Sequence, residues 1–84
     1  MTGDYGADLI AERDELSFAI QCKDTLKPAG VKAVQEAAAA RAHYGTDFAV
    51  VCSSGGFTDA AINLATSAEV MLSNFDQLSD RLEL

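Results

Sequence analysis

Three polar side chains on two neighbouring segments have the types and spacing of a divalent-cation site. Asp8 lies in the segment 7–12, and Gln21 and Lys23 lie two residues apart in the segment 16–23. A carboxylate oxygen and an amide oxygen suit Mg²⁺, which keeps several waters and a substrate phosphate as its other ligands. The ammonium group of Lys23 would either orient or deprotonate a water, or stabilise the charge that develops on a phosphate.

The two segments that carry these side chains are predicted to be the strands of one hairpin. Residues 7–12 and 16–23 alternate with the two-residue period of a strand, and the short charged turn 13–15 joins them. Strands joined by so short a turn pair antiparallel. The alternation places Gln21 and Lys23 on one face of the second strand. The opposite face carries apolar side chains: Leu16, Phe18, Ile20 and Cys22.

A solvated polar patch is the alternative interpretation of the same side chains. Antiparallel sheets often leave one face in water, and Gln21 and Lys23 would then be ordinary surface residues. Glu12 shares the predicted face of Asp8, and it is either a third ligand or part of a solvated hairpin end. The spacing alone does not choose between a cation site and a polar patch.

The rest of the sequence predicts alternating helices and strands. In chain order we predict a helix over 31–44 that ends at Gly45, and then a strand over 47–53 that is covered on both faces. These are followed by a helix that Thr58 caps and that runs to about Ser67, a strand over 70–72, and a final helix that Asn74 caps. This order indicates an α/β fold with a mixed sheet and helices on both faces. In the helix over 31–44, small residues recur at helical spacing and are predicted to face the sheet: Val31, Val34, Ala38 and Ala42.

Composition limits the classes of function. The 84 residues are 49% hydrophobic and 23% charged, which fits a single globular domain over residues 1–84. The apolar runs are far shorter than the ~20 residues of a membrane-spanning helix. A net charge of −7 argues against strong nonspecific binding to nucleic acid. Because Cys22 and Cys52 lie in apolar runs, we expect buried thiols in the reducing cytoplasm rather than a disulfide.

The turn after the third predicted strand is a weaker candidate for binding an anion. Ser53-Ser54-Gly55-Gly56 follows a strand and precedes a helix, a position where phosphates bind in some folds. The turn lacks the Lys of a P-loop and the spacing of a dinucleotide-binding fingerprint. We therefore expect it to be a structural turn.

Several short motifs occur in a fixed order along the chain. Gly6-Ala7-Asp8-Leu9-Ile10-Ala11 has the form of a G-x-D strand, and Ile20-Gln21-Cys22-Lys23 has the form of a Q-x-K strand. Phe57-Thr58-Asp59-Ala60-Ala61 has the form of an F-T-x-x-A helix start. The intervening and following segments are Val34-Gln35-Glu36, Ala49-Val50-Val51 and Val70-Met71-Leu72. The ordered series resembles the catalytic core of the Mrr-type restriction endonucleases, a branch of the PD-(D/E)xK nuclease superfamily.

This resemblance implies a restriction-endonuclease-like fold and Mg²⁺-dependent hydrolysis of DNA phosphodiester bonds, as in type II or type IV restriction enzymes. It implies that Asp8 and Gln21 bind Mg²⁺ or Mn²⁺ and that Lys23 acts on the attacking water. Gln35 is an accessory candidate, because a helix Gln near the site occurs in this branch. An ordinary exposed helix residue is an equally good interpretation of Gln35.

Two departures from the family pattern lead to a second functional hypothesis. Family members normally carry a helix before the Asp strand, so we expect an N-terminally truncated core. The net charge predicts DNA binding that is weak or depends on a partner. The first strand would leave one flank of the sheet uncovered, for which a second copy of the chain or another protein is expected. The alternative function is a non-catalytic, dimerising interaction module that retains the nuclease fold, its activity lost.

Overall fold

The structure, a computed structural model, describes residues 9–24 and 26–74, which form four strands and two helices. The elements are β1 (Leu9–Arg13), β2 (Leu16–Lys23), α1 (Val31–Tyr44), β3 (Phe48–Ser53), α2 (Asp59–Ala68) and β4 (Val70–Ser73). The bounds of β2 and α1 are those predicted, and β3, α2 and β4 each differ by one residue at one end. The predicted final helix follows Asn74 and lies outside the described residues. In the described part of the chain, no helix has the length and hydropathy needed to cross a membrane.

The four strands form one mixed sheet in the order β1-β2-β3-β4. β1 pairs antiparallel with β2, whereas β3 runs parallel to both β2 and β4. The turn between β1 and β2 consists of Asp14 and Glu15, whose φ angles of 54° and 69° give the left-handed turn that matches strand twist. The antiparallel hairpin, the mixed sheet and the α/β class predicted from the sequence are therefore confirmed.

The two faces of the sheet pack into separate apolar clusters. Ala49, Val51 and Val70 pack with residues of α1 and α2, and we call this side the helix-covered face. On the other face, Ile20, Val50 and Cys52 form a second buried cluster. All residues of β3 from Ala49 to Ser53 are buried. The prediction that this strand is covered on both faces is thus confirmed.

α1 packs through a different row of small residues from the row predicted. It buries four side chains: Ala33, Val34, Ala37 and Ala40. Val31 is 39% exposed and Ala42 is also exposed, so the predicted stripe is wrong except at Val34 and, in part, Ala38. Alanines stand on several sides of this helix, so the spacing of small residues does not determine which side meets the sheet.

Hydrogen bonds join the loop that precedes α1 to the loop that precedes α2. The Ala29 N–H donates to the Gly56 carbonyl at 2.9 Å, and the Thr58 N–H donates to the Ala29 carbonyl at 3.0 Å. Thr58 is the predicted N-cap, and its Oγ1 accepts a hydrogen bond from the Ala61 N–H at 3.1 Å. The contacts made by Ala29 fix the start of α1 relative to the start of α2.

Candidate functional site

Gln21 and Lys23 lie on the helix-covered face of β2. Gln21 is in register with Val51 of β3, and Lys23 is in register with Ser53. Because Val51 belongs to the cluster that packs against α1, the Gln21 side chain lies on the side of the sheet where that helix packs. Gln21 is only 4% exposed. A solvated hairpin face therefore does not describe its environment.

The side-chain amide of Gln21 has a buried oxygen without a partner. Its Oε1 atom accepts no hydrogen bond from the part of the chain that the structure describes. Leaving a buried acceptor unpaired costs about 1–3 kcal/mol, and such atoms in folded proteins call for a specific explanation. An amide oxygen is a suitable ligand for a hard divalent cation. The residue present thus fits the cation that the family resemblance implies.

Lys23 forms an ion pair with a residue of α1 that the sequence analysis did not single out. The Lys23 Nζ lies 3.4 Å from the Glu36 Oε1, with side chains 35% and 29% exposed. The Glu36 Oε1 atom is itself buried and has no hydrogen-bond partner among residues 9–24 and 26–74. The ion pair is therefore a close charge contact without hydrogen-bond geometry.

Glu36 takes the place near Lys23 that the sequence analysis considered for Gln35. Gln35 is exposed on α1, and no hydrogen bond or ion pair connects it to Lys23 in the described structure. The helical spacing of Glu36 from the buried alanines could have predicted its position. Glu36 stands three residues after Ala33 and four before Ala40, and residues at those spacings share a helix side. Identifying the buried alanine row would have identified Glu36.

A hollow of about 280 Å³ lies beside the Lys23–Glu36 pair. Lys32 and Gly30 at the start of α1 also line the hollow. Gly30 is the N-cap and provides no side-chain cap, and the first turn of α1 has no acidic residue. Two lysines and the positive end of a 14-residue helix therefore surround a space suited to a phosphate group.

Contacts at the ends of β2 and β3 hold the backbone of Lys23. The Ser54 N–H donates to the Lys23 carbonyl at 3.1 Å, and the Ser54 hydroxyl donates to Asp24 Oδ1 at 3.2 Å. The Gly55 N–H donates to the Ser53 Oγ at 3.2 Å. These contacts fit the expected structural turn, and they fix the position of the strand end that carries Lys23.

The structure does not bring Glu12 to Gln21 and Lys23. Glu12 is in register with Ser17, near the hairpin turn. Four residues of strand, about 13 Å, separate Ser17 from Gln21. Glu12 is also exposed. The structure thus gives Glu12 the position of a solvated hairpin end.

Asp8 lies outside the described residues. Its neighbour Leu9 is in register with Ile20, which directly precedes Gln21 in the sequence. Within residues 9–24 and 26–74, no group of three His, Cys, Asp or Glu side chains is arranged to hold a metal ion.

The two cysteines lie side by side on the opposite face of the sheet. Cys22 and Cys52 are in register on β2 and β3, and both are in the thiol form. Cys52 is fully buried, as predicted, whereas Cys22 is only half-buried and packs against the same cluster. Burial, together with the neighbouring Cys22, raises the pKa of Cys52 from 9.0 to about 11. At neutral pH this thiol is protonated, which suits an apolar core residue.

Comparison with known proteins gives a family and a structural neighbour. The crystal structure of AF1548, a protein of unknown function, has a similar fold, with a TM-score of 0.71, 21% sequence identity and 83% of this chain covered. The alignment spans 41% of that chain. A search of curated proteins gives no significant match.

The family match agrees with the motifs, and the structural likeness agrees with a restriction-endonuclease-like fold. The Mrr catalytic-domain model, described as a restriction endonuclease, matches residues 1–82. This range includes the G-x-D, Q-x-K and F-T-x-x-A motifs and nearly the whole sequence. The chain belongs to the Mrr catalytic-domain family of restriction endonucleases.

Proposed function

We propose that the chain hydrolyses phosphodiester bonds of DNA with a divalent cation, Mg²⁺ or Mn²⁺, or is a degenerate relative of such an enzyme. The observation that carries the proposal is the arrangement on the helix-covered face of β2. Lys23 lies beside Glu36 at the hollow, and the neighbouring Gln21 has a buried amide oxygen without a hydrogen-bond partner. Membership of a restriction endonuclease family supports DNA as the substrate.

Asp8 and Gln21 would hold the cation. β1 and β2 are in register at Leu9 and Ile20, and continuing this pairing by one residue would set Asp8 opposite Gln21. Directly opposite residues of antiparallel strands have their side chains on the same face. The two side chains would then supply two oxygen ligands, a set that suits Mg²⁺. The bound cation would supply Lewis-acid stabilisation of the negative charge on the phosphate.

Lys23 would act at the phosphate and the attacking water. Its ammonium group is a hydrogen-bond donor that can orient the water or stabilise the non-bridging phosphate oxygens. The water oxygen forms a bond to phosphorus and gives up a proton to solvent, the bond to the leaving sugar oxygen breaks, and that oxygen is protonated from solvent. Glu36 would keep the ammonium group at the edge of the hollow, because the ion pair connects it to α1.

The charge of the chain predicts how DNA would be bound. The net charge is −7, but Lys23 and Lys32 both line the hollow at the start of α1. Two of the six basic residues thus lie at the hollow, whereas the chain as a whole repels a polyanion. We expect weak, strongly salt-dependent DNA binding by the chain alone, or binding assisted by a partner or a second copy. A cytoplasmic location would fit both a DNA substrate and two cysteines in the thiol form.

Exposed apolar side chains on the hairpin favour a second candidate function. Leu9, Ile10 and Leu16 are 41%, 45% and 44% exposed, and β1 is an edge strand of the described sheet. Apolar residues at such an edge can pair with another chain. A non-catalytic module that dimerises through this edge would have the same fold and need no cation.

Cleavage assays on folded protein test the proposed function. Supercoiled plasmid, methylated DNA and branched DNA would be incubated with the chain in Mn²⁺, with EDTA as the metal-free control. We expect nicking that EDTA and Asp8→Asn both abolish. Asp14→Asn removes the same charge at the hairpin turn and should cleave as the wild type does. A folded dimer that cleaves none of these substrates would support the interaction module instead.

A further inference from the structure

We propose that Glu36 is the second acidic ligand of the divalent cation. This inference rests on the proposed function, because it concerns the same site. It adds a residue from α1 to a ligand set that the sequence motifs place on β1 and β2 alone. Three features of the site support it: its charge balance, the position of the Glu36 carboxylate, and buried oxygens that lack a hydrogen-bond partner in the described part of the chain.

The motif residues alone give a site without net negative charge. Asp8 carries one negative charge, Gln21 is neutral, and Lys23 carries one positive charge. A site with no net charge attracts Mg²⁺ weakly, since hard cations are bound chiefly by carboxylates and by the negative charge those groups supply. Glu36, with its Oε1 3.4 Å from the Lys23 Nζ, makes the net charge of the group −1.

The Glu36 carboxylate lies on the same side of the sheet as the two motif residues of β2. α1 packs on the helix-covered face, where Gln21 and Lys23 also lie. Glu36 and Lys23 line the same hollow. The side chain of Glu36 therefore reaches from the helix to the end of β2 that carries the two motif residues.

The unsatisfied amide oxygen of Gln21 is a second observation, independent of the Lys23–Glu36 ion pair. In the described part of the chain, two buried side-chain polar atoms have no hydrogen-bond partner, namely Oε1 of Gln21 and Oε1 of Glu36. Both belong to residues that adjoin Lys23, one through the strand and one through the ion pair. A divalent cation bound between β2 and α1 would give both oxygens an electropositive partner.

An ion pair with Lys23 alone explains the contact between Lys23 Nζ and Glu36 Oε1 less well than cation binding by Glu36 does. If the Glu36 carboxylate served only Lys23, a charge-assisted hydrogen bond of about 2.7–2.9 Å would be expected. The observed contact is 3.4 Å long, and Oε1 makes no hydrogen bond. That oxygen is therefore available to a second partner.

Mn²⁺ binding, measured by titration calorimetry on the full chain, tests the assignment. We expect Glu36→Gln to weaken Mn²⁺ binding by about 10- to 100-fold. Glu36→Asp keeps the charge but shortens the reach by one methylene, so it should weaken binding by about 10-fold or more. Glu15→Gln removes an equal charge at the opposite end of β2 and should stay within about two-fold of the wild type. Circular dichroism checks that each variant is folded.

The outcomes separate this inference from the proposed function. Wild-type Mn²⁺ affinity in Glu36→Gln, together with lost binding in Asp8→Asn, would overturn the role of Glu36 and leave the metal-dependent function standing. Wild-type affinity in Glu36→Asp but weak binding in Glu36→Gln would show an effect of charge alone and would overturn direct ligation. A folded wild-type chain that binds no Mn²⁺ would overturn both proposals.

Discussion

The Nζ atom of Lys23 lies 3.4 Å from the Oε1 atom of Glu36, so an ion pair joins the end of β2 to α1. Both side chains are about one-third exposed, and pairs with that much solvent contact contribute only about 0–1 kcal/mol to stability. The contact therefore matters more for the position of the ammonium group than for the stability of the fold.

Lys23→Met should leave stability nearly unchanged. We expect the free energy of unfolding to change by no more than about 1 kcal/mol, because the pair is solvent-screened and methionine keeps most of the apolar stem. Urea denaturation followed by circular dichroism measures it. As a comparison, Val34→Ala removes fully buried methyl groups and should cost about 2 kcal/mol. A larger loss for Lys23→Met than for Val34→Ala would contradict this assessment.

Gln21→Glu should make stability depend more strongly on the divalent cation. The change keeps the side-chain shape and places a carboxylate where Gln21 is 4% exposed. In EDTA, burying this charge should lower the free energy of unfolding by about 1–3 kcal/mol. Adding Mn²⁺ should restore more stability to the variant than it adds to the wild type, because a carboxylate is the stronger ligand.

Gln35→Glu is the matched control for this change, because it makes the same substitution at an exposed position of α1. Its response to Mn²⁺ should equal that of the wild type in the same urea titrations. Equal Mn²⁺ responses for Gln21→Glu, Gln35→Glu and the wild type would argue against a cation next to Gln21.

Thr58→Ala should destabilise the start of α2. The Thr58 Oγ1 accepts a hydrogen bond from the Ala61 N–H at 3.1 Å, and loss of such a cap costs about 1 kcal/mol. Thr66 lies in the same helix, where its hydroxyl donates to the Ile62 carbonyl. Thr66→Ala should therefore be neutral or slightly stabilising. If urea titration gave the same loss for both variants, the capping role of Thr58 would be wrong.

The raised pKa of Cys52 predicts a loss of stability at alkaline pH. Its thiol ionises near pH 9.0 in the unfolded chain but near pH 11 in the folded protein, where burial and the adjacent Cys22 oppose the thiolate. Below pH 9.0 both states hold the proton, so this contribution is fully present. As pH rises through this window the unfolded chain releases the proton first, and stability falls by up to about 1.4 kcal/mol per pH unit.

Cys52→Ala isolates that contribution, because alanine does not ionise. The difference in unfolding free energy between the wild type and the variant should shrink between pH 9.0 and about pH 11. Urea titrations at several pH values measure the difference. A constant difference across this range would show that the pKa of Cys52 is not raised on folding.

The strand faces and helix ends could be predicted from the sequence because local chemistry determines them. Strict alternation in 16–23 gave β2 and its two faces, and Gly45, with a φ of 67°, ends α1 where expected. The alternation does not say what covers a face. The burial of Gln21 against the helix side of the sheet therefore emerged only from the tertiary structure.

The part of the site supplied by α1 was not predictable in the same way. Small residues occupy so many positions of this helix that several sides could pack on a sheet. The sequence analysis chose the side of Val31 and Ala42, whereas the helix buries Ala33 and Ala37. With the side misassigned, Glu36 was not recognised as a neighbour of Lys23.

The most direct test of a catalytic site on β2 is the rate of plasmid nicking in Mn²⁺ by the wild type and by Lys23→Met. Arg13→Ala, which removes a positive charge at the hairpin turn, is the control. We predict a rate at least about 100-fold lower for Lys23→Met, since an electrostatic contact at the reacting phosphate is lost, and a rate near that of the wild type for Arg13→Ala. Equal rates for the wild type and Lys23→Met would contradict the assignment of Lys23, and no cleavage by the folded wild type would contradict the nuclease itself.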